Sequence, residues 1–216
     1  MRGLRLLAIV GAAAGIGALL LQFALMFGSM SASGYSPLAI VWRYFGYFTI
    51  LTNIFVALIW IGAAFQPETA RPRLEGAGAV SIVMVGVIYH LLLANRWAPQ
   101  GLQLGADFIH HSFTPILFGL FWLMRPHGSL KWADAALFVI WPLSYCVYAL
   151  TRGAFDGWYA YYFLDPRRAP LSELALSIAA QSASFLACAL AFVAIDKMLG
   201  ARASAGASSA SAVARS

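Results

Sequence analysis

With 216 residues, 62% of them hydrophobic and only 10% charged, the chain has a mean hydropathy of +0.78, beyond what a water-soluble domain carries. Its formal charge of +6 sits at the ends of apolar stretches rather than on one face, which argues against a nucleic-acid partner and for contact with anionic lipid headgroups. Its two cysteines, Cys146 and Cys188, both lie within apolar stretches and give no sign of a disulfide framework or a Cys-rich metal site.

Six apolar windows follow in chain order, at residues 4–28, 37–65, 77–96, 106–124, 132–152 and 172–197. Each supplies the ~20 residues that a helix needs to cross ~30 Å of hydrocarbon. Continuous runs exclude the short alternating segments of a transmembrane barrel, so every backbone polar group has to be satisfied within a helix. The sequence therefore predicts an all-α integral membrane protein, a bundle of six transmembrane helices over residues 1–199, whose direct partner is the lipid bilayer. The first window follows Arg2 and Arg5 but exceeds the ~7–15 residues of a signal-peptide core, and is read as a permanent helix. Residues 200–216 are nearly all Ala, Ser and Gly and are predicted to be a disordered tail.

The connections divide the Lys and Arg unevenly. One side collects Arg2, Arg5, Arg71, Arg73, Arg125, Lys131, Lys197, Arg202 and Arg215, while the other has Arg96, Arg152, Arg167 and Arg168, and Arg43 falls inside the second window. This bias predicts cytoplasmic termini, with short cytoplasmic turns at Pro67–Glu75 and Arg125–Lys131. The outer segment Ala154–Pro170 carries Phe155, Trp158, Tyr159, Tyr161, Tyr162 and Phe163. Such a cluster reads either as a headgroup-level anchor or as a lid over a pocket.

Polar residues inside the windows are the functional candidates, since lipid-facing polar groups are unfavourable. Counted at ~1.5 Å per residue from the cytoplasmic end, Thr49, His90, His111, Tyr145 and Gln181 all fall roughly 20–24 Å deep. Gly46, Thr49 and Asn53 share one face of the second helix by their spacing, as do Asp107, His111 and Thr114 on the fourth. Trp141, Tyr145, Tyr148 and Arg152 form a stripe on the fifth, and Ser177, Gln181, Ser184 and Cys188 on the sixth. Individually, Thr49 also fits a hydroxyl bonded back to its own helix, Asn53 and Gln181 fit interhelical glue, and Arg43 fits a side chain snorkelling to the interface.

Together, a threonine and a histidine at one depth have a chemical meaning. A hydroxyl attacks an acyl carbon once a base takes its proton, and imidazole can return that proton to the leaving group. Asp107, one turn before His111, is a candidate to orient the ring. His110 points about 100° away from its neighbour. Pro115 cannot donate to the carbonyl of His111, so a distortion is predicted in the fourth helix beside the base. No metal site is expected, since His90, His110 and His111 lack an acidic or thiol partner set, and no cofactor is expected.

The segments Arg43-Tyr-Phe-Gly-Tyr-Phe-Thr-Ile-Leu-Thr-Asn53, Val87-Ile-Tyr-His-Leu-Leu-Leu-Ala94, Asp107-Phe-Ile-His-His111, Arg125-Pro-His127 and Tyr148-Ala-Leu-Thr-Arg-Gly153 through Phe163-Leu-Asp165 resemble bacterial six-helix membrane proteins similar to the androgen-induced and androgen-dependent transmembrane family. The resemblance covers nearly all of residues 4–197. It implies a membrane-embedded hydrolase of fatty acid esters of hydroxy fatty acids, with a threonine nucleophile and a histidine base that fall on Thr49 and His111. The eukaryotic members carry Asn near Asp107 and lack the His110–His111 pair. On this reading Asn53, His90 and Gln181 are candidate oxyanion donors, Arg43 is the candidate for a substrate carboxylate, and the protein lies in a bacterial inner membrane. The rival expectations are a small-molecule or proton-coupled transporter, in which His90 and His111 titrate, and a non-catalytic scaffold.

Overall fold

A computed structural model describes the backbone of residues 2–213 and the side chains of residues 2–206. The described residues are helical throughout, with turns between and no strand. Helix α1 spans Arg2–Ala32, α2 Pro37–Tyr44, α3 Phe48–Phe65 and α4 Pro72–Ile88. After them come α5 Leu102–Phe108, α6 Thr114–Leu123, α7 Asp134–Asp156 and α8 Leu171–Val213. Five stretches are long and apolar enough to cross a membrane: Arg2–Ala32, Phe48–Phe65, Pro72–Arg96, Asp134–Asp156 and Leu171–Gly206. This makes the chain a multi-pass membrane protein by length and composition. Leu6, Leu20, Leu38, Leu58, Phe65, Leu91, Val147 and Leu176 are exposed on the outer faces, where lipid replaces water.

The fourth apolar window departs from an uninterrupted helix. A π-helical turn at Ile109–Phe113 separates α5 from α6, just ahead of Pro115, where the missing N–H predicts a distortion. Neither α5 nor α6 alone is long enough to span. A second π turn, Tyr89–Leu93, extends α4 at the same level and has no proline to announce it. Gly86 lets the two distorted helices approach, because a Cβ there would sit only 3.0 Å from the His111 carbonyl.

The second apolar window is also broken. Between α2 and α3 the chain leaves helical geometry at Phe45–Tyr47. Open backbone at membrane depth needs partners from within the protein. Tyr145 and Tyr148 of α7 provide them, donating to the carbonyls of Gly46 at 2.9 Å and Phe45 at 3.1 Å. Gly46 has no room for a side chain, since Trp158 and Arg152 close over it. The four-residue stripe on α7 thus has a structural purpose: Trp141 bonds Thr52 at 3.1 Å, and Arg152 donates to the Tyr148 hydroxyl at 3.1 Å.

The core lies between α1, α3, α4 and α6. Trp60, Phe118 and Phe121 are fully buried there, with ring centroids 5.1–6.5 Å apart. Small residues Ala8, Gly11, Ala12, Gly15 and Ala18 bring α1 close to α3, and Gly11 faces the Trp60 indole directly. At the end of the bundle away from the Gly46 break, Arg125 grips Glu75 through both nitrogens of its fork, at 2.8 and 3.0 Å. The same guanidinium donates to the carbonyls of Pro67 and Thr69, clamping the α3–α4 turn. Asp196 on α8 accepts from Leu130 N–H at 2.9 Å and pairs with His127 at 3.2 Å, anchoring the α6–α7 turn. Arg125 and Glu75 side chains are only 3% and 4% exposed, so removing one partner strands the other. Glu75→Ala is expected to cost about 3–5 kcal/mol, read as a lowered unfolding temperature in detergent.

Residues 201–213 continue α8 where the composition predicts a disordered tail; alanine, which alternates through this stretch, is the strongest helix former. Residues 214–216 of that predicted tail lie outside the described residues.

Candidate active site

Thr49 occupies the first turn of α3, immediately after the break at Gly46. The break frees its backbone N–H, which donates to the Tyr161 hydroxyl at 3.4 Å, and it leaves the positive end of the α3 dipole beside the side chain. The π turn brings His111 in from the facing helix, so that Nε2 lies 3.4 Å from Thr49 Oγ1. This exceeds the ~2.6–3.2 Å of a working proton-transfer contact, as such contacts often do before a substrate arrives.

Asp107 decides which imidazole nitrogen holds the proton. His111 Nδ1 faces two acceptors, the Asp107 carboxylate at 3.3 Å and the Asp107 carbonyl at 3.1 Å. Neither can donate, so Nδ1 bears the hydrogen and Nε2 is the acceptor turned to the threonine hydroxyl. The ring is fixed by stacking on Tyr89, 3.8 Å between centroids and 10° between planes. The Tyr89 hydroxyl in turn donates to Asp107 at 2.5 Å, and Trp97 Nε1 donates to the other carboxylate oxygen at 3.2 Å. Thr49, His111 and Asp107 therefore form one connected relay.

Tyr161 completes it from the loop between α7 and α8. Its hydroxyl lies 3.4 Å from Thr49 Oγ1 as well as from Thr49 N. Burial pushes its phenol up to about 12, so it stays protonated and available to donate. The loop is braced by Asp165, which pairs with Arg167 at 2.8 Å and Arg168 at 3.4 Å. The hydrogen bond from Arg167 is the main reason its carboxyl is lowered to about 2. Of the two readings of the aromatic segment Ala154–Pro170, a lid describes Tyr161, Phe163 and Leu164, which wall the cavities described next. An interfacial anchor describes Phe155, which is exposed.

Two cavities meet at Thr49, and both are also lined by Tyr89, Leu93 and Tyr161. The larger, about 350 Å³, is lined on its far side by Gln22, Tyr44, Arg96, Trp97, Gln103 and His110 as well as by Asp107 and His111. It falls in the size range of small-molecule sites. The smaller, about 40 Å³, lies toward α7 and α8, against Phe48, Pro142, Tyr145, Cys146, Gln181 and Phe185.

The other sequence candidates divide. Tyr145 and Gln181 line the smaller cavity, but Gln181 spends its amide on Ser177, and Ser182 rather than Ser184 faces inward beside it. Asn53 is fully buried and donates to the Thr49 carbonyl at 2.9 Å, bracing the first turn of α3 without lining either cavity. His90 does not reach the site: it is exposed on the outside of its π turn and bonds Ser112 at 3.1 Å. Arg43 is likewise displaced from the role of carboxylate ligand; it stacks on Trp158 at 4.1 Å and lines neither cavity. The guanidinium at the larger cavity belongs to Arg96, held over Tyr162 at 4.0 Å. Thr114 is buried in the helix interior with no partner for its hydroxyl.

Tyr161, Tyr89 and Arg96 were not singled out by spacing, because they come from a loop, a distorted turn and a helix end. Among the described residues no three His, Cys, Asp or Glu side chains stand together as a metal site. Comparison with protein-family models, curated proteins and solved structures gives no match for this chain.

Proposed function

We propose that this chain is a membrane-embedded hydrolase of lipid esters, with Thr49 as nucleophile and His111 as base. The observation that carries the reading is the Asp107–His111–Thr49 relay at the junction of two cavities, with the proton already on the nitrogen remote from the nucleophile. Thr49 Oγ attacks the ester carbon as His111 Nε2 takes its proton; the same nitrogen then protonates the departing alkoxide. Water next attacks the threonyl ester, giving its proton to His111, which returns one to Thr49.

The negative oxygen of the tetrahedral intermediate needs a donor, and Tyr161 is the best placed, in place of His90, Asn53 or Gln181. Tyr161→Phe is expected to lower kcat by about 10²-fold with little change in KM, measured by steady-state hydrolysis. Arg96 suits a carboxylate on the alcohol half of the substrate, the arrangement of a hydroxy fatty acid ester. Counting Leu102–Leu123 as one interrupted span makes six, with both termini on the cytoplasmic side by the Lys and Arg bias and the site in the outer half of a bacterial inner membrane. The test is hydrolysis of a fatty acid ester by purified protein in proteoliposomes, together with labelling by a fluorophosphonate probe. Absence of both in folded protein overturns the reading.

A further inference from the structure

We infer that the site accepts its ester in one orientation, with a short acyl group in the smaller cavity and the longer alcohol half in the larger. The inference rests on the hydrolase reading and adds to it a division of the substrate.

The reacting carbon lies at Thr49, where the cavities meet, so the two halves of an ester must enter different cavities. His111 chooses which. It lines the larger cavity and not the smaller, and its Nε2 must deliver the proton to the leaving oxygen. The bond from carbonyl carbon to alkoxy oxygen therefore breaks with the alkoxy half on the His111 side. The proton taken from Thr49 leaves with the alcohol, through the larger cavity. Water must reach the same nitrogen to be deprotonated, and takes the place the alcohol has vacated. Throughout both steps the acyl group, bound to Thr49, stays in the other cavity.

That cavity is narrow. Its volume of about 40 Å³ is far below the larger cavity's about 350 Å³. Phe48, Pro142, Cys146 and Phe185 close around it. A short acyl group suits this cavity better than a long chain, which finds more room in the larger one. The larger cavity, about 350 Å³, has no such limit. The resemblance to hydrolases of fatty acid esters of hydroxy fatty acids implies long chains on both sides of the bond; this cavity pair favours a short acyl half.

Two isomeric esters, hexadecyl acetate and ethyl hexadecanoate, contain the same atoms and partition alike into membranes but present opposite halves. Supplied to the full chain in proteoliposomes, with Thr49→Ala as the blank, hexadecyl acetate is expected to be turned over at least about tenfold faster. Phe185→Ala, which opens the smaller cavity, is expected to shift that ratio about tenfold toward ethyl hexadecanoate. Should that variant fail to fold, Cys146→Phe fills the cavity and is expected to lower the ratio of p-nitrophenyl butanoate to p-nitrophenyl acetate turnover. Equal turnover of the isomers, or a preference for ethyl hexadecanoate, overturns the assignment while leaving the hydrolase intact. If no ester, p-nitrophenyl acetate included, gives turnover that depends on Thr49, the hydrolase reading itself falls.

Discussion

Thr49→Ala is expected to lower ester turnover by on the order of 10⁴-fold or more and to abolish fluorophosphonate labelling. The change removes the hydroxyl that faces His111 Nε2, while the half-buried position and the hydrogen bond from Asn53 to the backbone carbonyl survive. Folding should therefore be retained, which size-exclusion and thermal melting can verify on the same preparation. Thr49→Ser, which keeps the hydroxyl, is expected to retain labelling. These outcomes separate the readings. A scaffold would show melting changes with no activity to lose, and a transporter would show no covalent labelling in the parent chain. Undiminished labelling of folded Thr49→Ala would sink the nucleophile assignment outright.

His111→Ala is expected to have a comparable effect, and the double variant with Thr49→Ala to be no worse than either single change, because the pair acts as one unit. Truncation of the ring opens space against Tyr89 next to a cavity of about 350 Å³, so added imidazole should restore part of the turnover in His111→Ala and none in Thr49→Ala. A residue with a purely structural role would not respond to imidazole in this way. Asp107 acts through His111 as a positioning residue. Its own backbone carbonyl, 3.1 Å from Nδ1, still holds the proton on that nitrogen in Asp107→Asn. That variant should consequently lose only about ten- to a hundredfold in kcat, measured by steady-state hydrolysis. A loss as large as that of His111→Ala would mean the carboxylate alone sets the tautomer.

The bundle was legible in the chain because hydropathy acts over whole windows, and any ~20-residue apolar run faces the same demand for internal hydrogen bonds. The pairing of Thr49 with His111 was legible too, since their depths follow from helical rise and both are costly to leave facing lipid. Pro115 announced the distortion at Ile109–Phe113 through its missing donor. What periodicity could not supply were the places where helical geometry fails. Once α2 and α3 separate at Gly46, that residue leaves the face that Thr49 and Asn53 still share, and Thr49 moves from mid-helix to a helix N-terminus. On α4 the regular spacing that buries Ile82, Val85 and Gly86 carries on to Tyr89 and leaves His90 outside, so depth alone could not tell which of the two neighbours faces the site.

The chain by itself thus pointed to a membrane-spanning helical protein and to a threonine and a histidine, Thr49 and His111, that the fold brings together. Each of these depends on composition or on the constant rise of a helix, which are properties of neighbouring residues. Tertiary structure decided the rest: Tyr161 rather than a helix residue beside the nucleophile, Arg96 rather than Arg43 at the cavity, and unequal room on the two sides of Thr49. Those depend on how a loop folds back, where two helices unwind and how closely α7 and α8 approach. Such contacts join residues far apart in the chain, and no local pattern encodes the distance between them.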